Sequence, residues 1–254
     1  MSERTSYEPG TFSWADLTTS DADAAQRFFG PLLEWEFEAL PLPDGAVYVM
    51  ASRDGHRVAA IGQSDDQPPH WNNYVTVQSA DDAAAKAERL GGTVLTPAFD
   101  VMDVGRMAVI QDPTGGTLCV WEPKTNPGAA LVNQPGAMTW NDLMTDDVDA
   151  AAKFYGELFG WRTEEIPDAY GYRVIYNGER SNGGMLPKRP DMGAMPSSWM
   201  PYFGIEDAEE AVGRVEELGG RVLTQPMPVP NGKFIVVADP QGAICALWSG
   251  VYDD

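Results

Sequence analysis

The chain is written twice. Phe12-Ser13-Trp14-Ala15-Asp16-Leu17 returns as Met138-Thr139-Trp140-Asn141-Asp142-Leu143, a shift of 126 residues, and Trp35 returns as Trp161 at the same shift. Further on, Tyr74 and Leu90-Gly91-Gly92 return as Tyr202 and Leu218-Gly219-Gly220 at a shift of 128. Asp112-Pro113 and Trp121 return as Asp239-Pro240 and Trp248 at 127. An offset that drifts by only two residues over such a span means a duplicated domain with small loop changes, not a solenoid. A chain of 254 residues suits two domains of ordinary size, each with its own core.

Within each copy one order of elements is used twice. Thr11–Thr18 alternates as a strand, and a helix follows, capped by Asp21 or Asp23, with Pro31 tightening its last turn. Strands at Trp35–Leu40, Ala46–Ser52 and Arg57–Gly62 are joined by the turns Asp44-Gly45 and Asp54-Gly55. The pattern restarts at Trp71–Val77. A helix over Ala80–Leu90, capped by Asp81 or Asp82, ends at Gly91-Gly92, and three more strands follow to Glu122. The second half repeats this. Residues 1–10 read as a loose N-terminal tail, 11–122 as the first domain, 123–136, with three prolines, as a linker, and 137–250 as the second domain.

Charge limits the partners. Seventeen basic against 38 acidic residues give a formal charge of −21, with no Lys/Arg-rich tract, so nucleic acid and anionic membrane surfaces are excluded as partners. No window approaches the ~18 consecutive apolar residues of a membrane span, and Met1 to Pro9 has no apolar signal region. Cys119 and Cys245 both sit in apolar runs, as buried free thiols do in a reducing cytoplasm. The expected location is therefore cytoplasmic, as a monomer or homodimer.

The strand followed by Asp21-Ala22-Asp23 or Asp147-Val148-Asp149 carries a family resemblance. So do the helix ends at Phe28-Phe29 and Phe154-Tyr155, the Leu-Gly-Gly stops and the Asp-Pro turns. Four strand–helix–three-strand units in this order resemble the vicinal oxygen chelate superfamily of glyoxalase I, bleomycin-resistance proteins and type I extradiol dioxygenases. The tandem layout is similar to actinobacterial members described as glyoxalases or hydroxylases. The resemblance covers residues 11–250. It implies an α+β fold of two domains, each two βαβββ units forming a curved mixed sheet with helices outside. The domains are expected to pack through their sheets or edges.

A curved sheet with outer helices gives a test of faces. If Leu17 and Thr19 point toward the helix, alternation puts Trp14, Asp16 and Thr18 on the concave side. The same parity sends Asn72, Tyr74 and Thr76 inward, with Thr117, Cys119 and Trp121 from the last strand. The second domain contributes Trp140, Asp142, Met200, Tyr202, Ala246 and Trp248. Each concave face is then an aromatic wall with a carboxylate, the usual make-up of a small-molecule site.

In metal-dependent members that this chain resembles, a His or Gln opens the first strand of a unit and a Glu lies in the last. Those places hold Trp14 and Trp140, then Cys119 and Ala246, with Asn72 and Met200 opening the second units. This is not a hard-metal donor set, and the expectation is no metal and no cofactor. His56 belongs to a hairpin turn and His70 to a connector, two residues from a ligand position; the second domain has no histidine.

The leading functional reading is metal-independent binding of a small aromatic or planar metabolite by Trp14, Trp121, Trp140, Trp248, Cys119 and Met200. The alternative is a metal-independent lyase, isomerase or hydroxylase-like enzyme acting on a carbonyl or polyketide-like substrate. There Asp16 or Asp142 is the base, and Tyr74 or Tyr202 polarises an oxygen. A metal-dependent glyoxalase or dioxygenase comes third.

Overall fold

The computed structural model describes residues 2–42, 47–189 and 195–252; the expected turn at Asp44-Gly45 lies outside them. Among the described residues, 19 strands and four helices follow the expected order. A short β1 (Ser2–Glu3) precedes the first domain. Its first unit is β2 (Phe12–Thr19), α1 (Ala22–Leu33), β3 (Glu36–Pro41), β4 (Val47–Arg53) and β5 (His56–Gln63). The second is β6 (His70–Thr76), α2 (Ala80–Arg89), β7 (Thr93–Val101), β8 (Gly105–Gln111) and β9 (Thr117–Pro123). After β10 (Leu131–Val132), the second domain opens with β11 (Met138–Thr145), α3 (Val148–Phe159), β12 (Arg162–Glu165), β13 (Arg173–Asn177) and β14 (Arg180–Pro187). It closes with β15 (Ser198–Gly204), α4 (Ala208–Glu217), β16 (Arg221–Val222), β17 (Met227–Val229), β18 (Gly232–Ala238) and β19 (Ile244–Gly250).

Each domain is one sheet. The first runs β3-β4-β5-β2-β6-β9-β8-β7, and the second β12-β13-β14-β11-β15-β19-β18-β16, with β17 on β18 and with β10, itself paired to β1, on β11. The two units of a domain join at an antiparallel seam. Trp14 faces Tyr74 and Asp16 faces Asn72 across β2–β6; Trp140 faces Tyr202 and Asp142 faces Met200 across β11–β15. Each unit's last strand returns parallel to its first, as β5 to β2 and β9 to β6. The α+β architecture of two such domains is thus as expected.

Caps set the helix starts. Asp21 Oδ1 accepts from the Ala24 amide at 2.8 Å, and Asp147 Oδ1 from Ala150 at 2.9 Å. In α2 the cap is Ser79, not Asp81 or Asp82, because Ser79 is the residue in extended backbone just before the first turn. The exit of α3 uses Gly160 at φ 80°, whereas α1 places Glu34 in the left-handed region at φ 55°.

The domains meet through the helix-bearing faces of their sheets. The central strands β6 and β15 touch in the middle, and the pairs α1–α4 and α2–α3 pack on either side. One apolar core therefore runs through both domains, from Leu17, Phe28 and Val75 to Leu143, Phe154 and Phe203. Two glycines make the approach possible: a Cβ on Gly92 would press on the Phe154 ring, and one on Gly220 on the Phe28 ring. The Trp35 indole donates to Gly136 O at 2.6 Å, and its repeat Trp161 donates to Gly10 O at 2.7 Å. Both concave faces are left pointing outward.

The segments read as a loose tail and a linker are held by both domains: Val132 pairs with Met138 of β11, and Asn177 and Asn182 of the second domain donate to Pro9 O and Gly10 O. Ser2–Glu3 pairs with Leu131–Val132, and the Tyr7 hydroxyl donates to Ala129 O at 2.6 Å. Ala129 N donates to Ser13 O at 2.8 Å, and Ala130 N to Arg57 O at 2.7 Å. The few apolar residues of the linker, Ala129, Leu131 and Val132, are buried, and that burial offsets the entropy of ordering the strap.

Candidate functional site

A buried carboxylate lies at the centre of each concave face. In the first domain Asp16 Oδ2 accepts from the Tyr48 and Tyr74 hydroxyls, both at 2.8 Å, and Oδ1 accepts from Asn72 Nδ2 at 2.8 Å. The Trp14 indole donates to the Tyr48 oxygen at 3.2 Å. His70 belongs to β6, not to a connector, and its Nε2 lies 3.2 Å from Asn72 Oδ1 while Nδ1 lies 2.8 Å from Pro68 O. Strand pairing explains the correction: His70 lies opposite Thr18 in the seam.

The second domain repeats the arrangement with one change. Asp142 Oδ2 accepts from the Tyr202 hydroxyl at 2.7 Å, and Oδ1 from the Tyr172 hydroxyl at 2.9 Å. Met200 stands where the first domain has Asn72, so the third donor comes from elsewhere. The Trp140 indole supplies it, donating to Asp142 Oδ1 at 2.9 Å and sharing its hydrogen with the Tyr172 oxygen at 2.9 Å. Gly184 faces Asp142 across β11–β14, and a Cβ there would collide with both Tyr172 Oη and Asp142 Oδ1.

Burial raises the pKa of both carboxyls. Around Asp16 the opposing hydrogen bonds come from Asn72, Tyr74 and Tyr48; around Asp142 they come from Tyr202, Tyr172 and Trp140. Burial, and then the carboxylate charge, pushes the Tyr48, Tyr74 and Tyr202 phenols well above their ordinary value. Cys119 is a buried thiol pushed up by burial and then by Asp16, the reverse of an activated nucleophile.

The two faces differ in what covers them. In the first domain Trp14, Tyr74, Cys119 and Trp121 pack with Ala129 and Val132 of the strap, with Tyr7 beside them. The Trp121 indole donates to Asn126 O at 2.9 Å, and Trp14 and Trp121 are only 5% and 6% exposed. In the second domain Met200, Tyr202 and Ala246 form the floor, and Trp140, Phe234, Val236, Ile244 and Trp248 pack around them only half buried. The strap between the domains packs on the first face, whereas Trp140, Phe234 and Trp248 of the second stay half-buried. Tyr252, near the C-terminus, packs edge-on against Trp248 with ring centres 4.7 Å apart.

The structure brings the residues named from the sequence together in two groups. Trp14, Asp16, Tyr74, Cys119 and Trp121 gather in one domain, and Trp140, Asp142, Met200, Tyr202 and Trp248 in the other. Sequence reasoning missed Tyr48 and Tyr172. They occupy matching places in the repeat, at a shift of 124, hidden because the hairpin before them differs by two residues. A gapped alignment of the two halves would have paired them.

The donor set does not fit a metal. Around Asp16 stand two phenols, an amide and a thiol, and around Asp142 two phenols, an indole and a thioether. Among the described residues no three His, Cys, Asp or Glu side chains are grouped as metal ligands. A separate cleft of about 450 Å³ lies between α1 and α4, lined by Glu34, Arg53, Asp207, Glu210 and Arg214. It is shared by two domain surfaces and touches neither carboxylate centre. Arg53 there is already paired with Glu34 at 2.9 Å and Leu33 O at 3.1 Å.

Comparison with known proteins agrees with the fold. Residues 137–246 match the family model of the glyoxalase/bleomycin resistance protein/dioxygenase superfamily, and residues 14–121 match that of the glyoxalase-like domain. The chain belongs to this superfamily. Among relatives in it, "Putative glyoxylase CFP32" of Mycobacterium tuberculosis is 39% identical over 253 residues, covering 96% of each chain. "Anthracycline biosynthesis protein DnrV" of Streptomyces peucetius is 31% identical over 260 residues, covering 94% of this chain and 93% of its own. The Mn(II)-bound glyoxalase from Novosphingobium aromaticivorans shares the fold at a TM-score of 0.68 and 15% identity, covering 97% of this chain and 84% of its own. The superfamily fold is thus shared with a metal-bound glyoxalase, while the donors of this chain differ from a hard-metal set. Among the described residues no helix is long and apolar enough to cross a membrane.

Proposed function

We propose that this protein binds a small planar aromatic molecule, without a metal, in the half-buried aromatic trough of its second domain. The observation that carries this is the half-buried set Trp140, Phe234 and Trp248 over the buried floor of Met200 and Tyr202. Large aromatic side chains left partly in water on a concave surface mark a binding surface more often than unfinished packing. The first domain supplies the contrast: Trp14 and Trp121, the repeat partners of Trp140 and Trp248, are buried there beside the strap. The name of the 31% identical relative refers to anthracycline biosynthesis, and anthracyclines are fused-ring planar molecules, a shape that suits this trough.

An enzymatic use of Asp142 has less support. Three donors already engage its carboxylate and leave a single Oδ2 lone pair, and each of them stabilises the anion rather than its proton uptake. Titration of the full chain with a fused three-ring aromatic, followed by tryptophan fluorescence and calorimetry, tests the proposal. Saturable binding with one site per chain, weakened about tenfold or more in Trp248→Ala, is expected. Two equal sites, or unchanged affinity in Trp248→Ala, would count against the second-domain trough.

A further inference from the structure

We infer that the Asp142 centre selects, among planar aromatics, those that present a hydrogen-bond donor, a protonated amine foremost, and disfavours those that present only acceptors or an anion. This rests on the reading that the second-domain trough is the ligand site.

The direction of the hydrogen bonds carries the inference. An indole N–H can only donate, so Trp140 directs its hydrogen at Asp142 Oδ1 and the Tyr172 oxygen. Tyr172 Oη, already accepting there, gives its own proton to Oδ1 at 2.9 Å. Oδ1 thus accepts twice and carries no proton. Tyr202 at 2.7 Å completes a shell of three donors around Oδ2 and Oδ1, and these donors favour the charged carboxylate against the rise that burial imposes. Every polar hydrogen of the centre then points inward at Asp142. Only lone pairs are left toward the trough: those of the Tyr202 oxygen and the remaining one on Oδ2.

A carbonyl or carboxylate placed on this floor would meet lone pairs with no hydrogen to share, and desolvating it would go uncompensated. An ammonium would meet an acceptor pair and a buried negative charge. Met200 lies directly opposite Asp142 in the seam and brings no competing cation. The same inward direction of the phenol protons opposes the use of Tyr202 to polarise a substrate oxygen.

The test compares two probes of one ring plan on the full chain: 9-aminoacridine, a cation at neutral pH, and 9-anthracenecarboxylate, an anion. Working in 1 M salt, where the screening length is about 3 Å, mutes the general field of the −21 charge. We expect 9-aminoacridine to bind about tenfold or more tightly than the carboxylate. Asp142→Asn should erase the preference. Met200→Lys serves as a second variant should Asp142→Asn fail to fold. It sets a cation beside the carboxylate and should reverse the preference. Equal affinity of the two probes for the wild type, or tighter binding of the anion, overturns the donor selectivity and leaves the trough standing. A preference that survives both Asp142→Asn and Met200→Lys overturns it as well. Failure of both probes to bind the wild type overturns the trough and the inference together.

Discussion

The Tyr155 hydroxyl donates to Asp112 Oδ2 at 2.8 Å, a bond that crosses from the second domain to the first. The Trp199 indole completes the chain by donating to the same hydroxyl at 2.9 Å. In the other half of the molecule Phe29 takes the place of Tyr155 and Trp71 that of Trp199, with the same edge-on ring contact and the same 5.4 Å centroid distance. The ring is kept and the hydroxyl is missing. Trp71 Nε1 and Asp239 Oδ2 are both buried without a hydrogen-bond partner among the described residues.

Phe29→Tyr should therefore stabilise the protein. It supplies one oxygen to two unsatisfied groups at a site that already holds the ring, so a gain of about 1–3 kcal/mol in denaturant unfolding is expected. Tyr155→Phe should cost a similar amount. A neutral or destabilising Phe29→Tyr would show that the two interdomain contacts are not equivalent.

Gly184→Ala should disturb the second-domain centre without touching its polar groups. The added methyl would run into Tyr172 Oη and Asp142 Oδ1. Overpacking of this kind costs about 1–3 kcal/mol, and ligand affinity should fall with it. Thermal unfolding and probe titration of one variant read both effects.

Asp16→Asn should change the pH dependence of stability in a defined direction. Burial holds the native-state pKa of Asp16 above 3.8, so the folded protein keeps the proton more tightly than the unfolded chain. The contribution of Asp16 is most favourable below the unfolded pKa and is lost as pH rises through the raised folded value. The Tm of Asp16→Asn minus that of the wild type should therefore increase from pH 3.5 upward, roughly, then level off. A difference that falls over that range would contradict the raised value.

Cys119 and Cys245 should resist thiol reagents in the native state. Both are buried, and burial, the leading cause, raises both thiol pKa values. Labelling with a disulfide reagent should wait for unfolding. Rapid native labelling of either would mean that its strand opens locally.

Much of this molecule was legible in one dimension. The repeat near 126 residues, the Asp-capped helices and the glycine stops are local signals, and they located the units, the seam strands and the family. Alternation then placed Trp14, Asp16, Trp140 and Asp142 on the concave faces, because neighbouring side chains of a strand must point to opposite sides. The N-cap of α2 was misassigned because Ser79, Asp81 and Asp82 are all capping residues and only backbone geometry separates them.

The sequence by itself determined two copies of one domain, their curved α+β sheets, and an aromatic face with a carboxylate in each. Those properties follow from short-range periodicity and from the duplication. The tertiary structure alone decided which tyrosines reach the carboxylates, since Tyr48 lies on β4 and Tyr172 just before β13, strands that join the seam only through long-range pairing. It also decided that the strap packs on the first face, through Ala129 and Val132, while Trp140 and Trp248 of the second stay half-buried, because the connecting segment passes between the two surfaces only once.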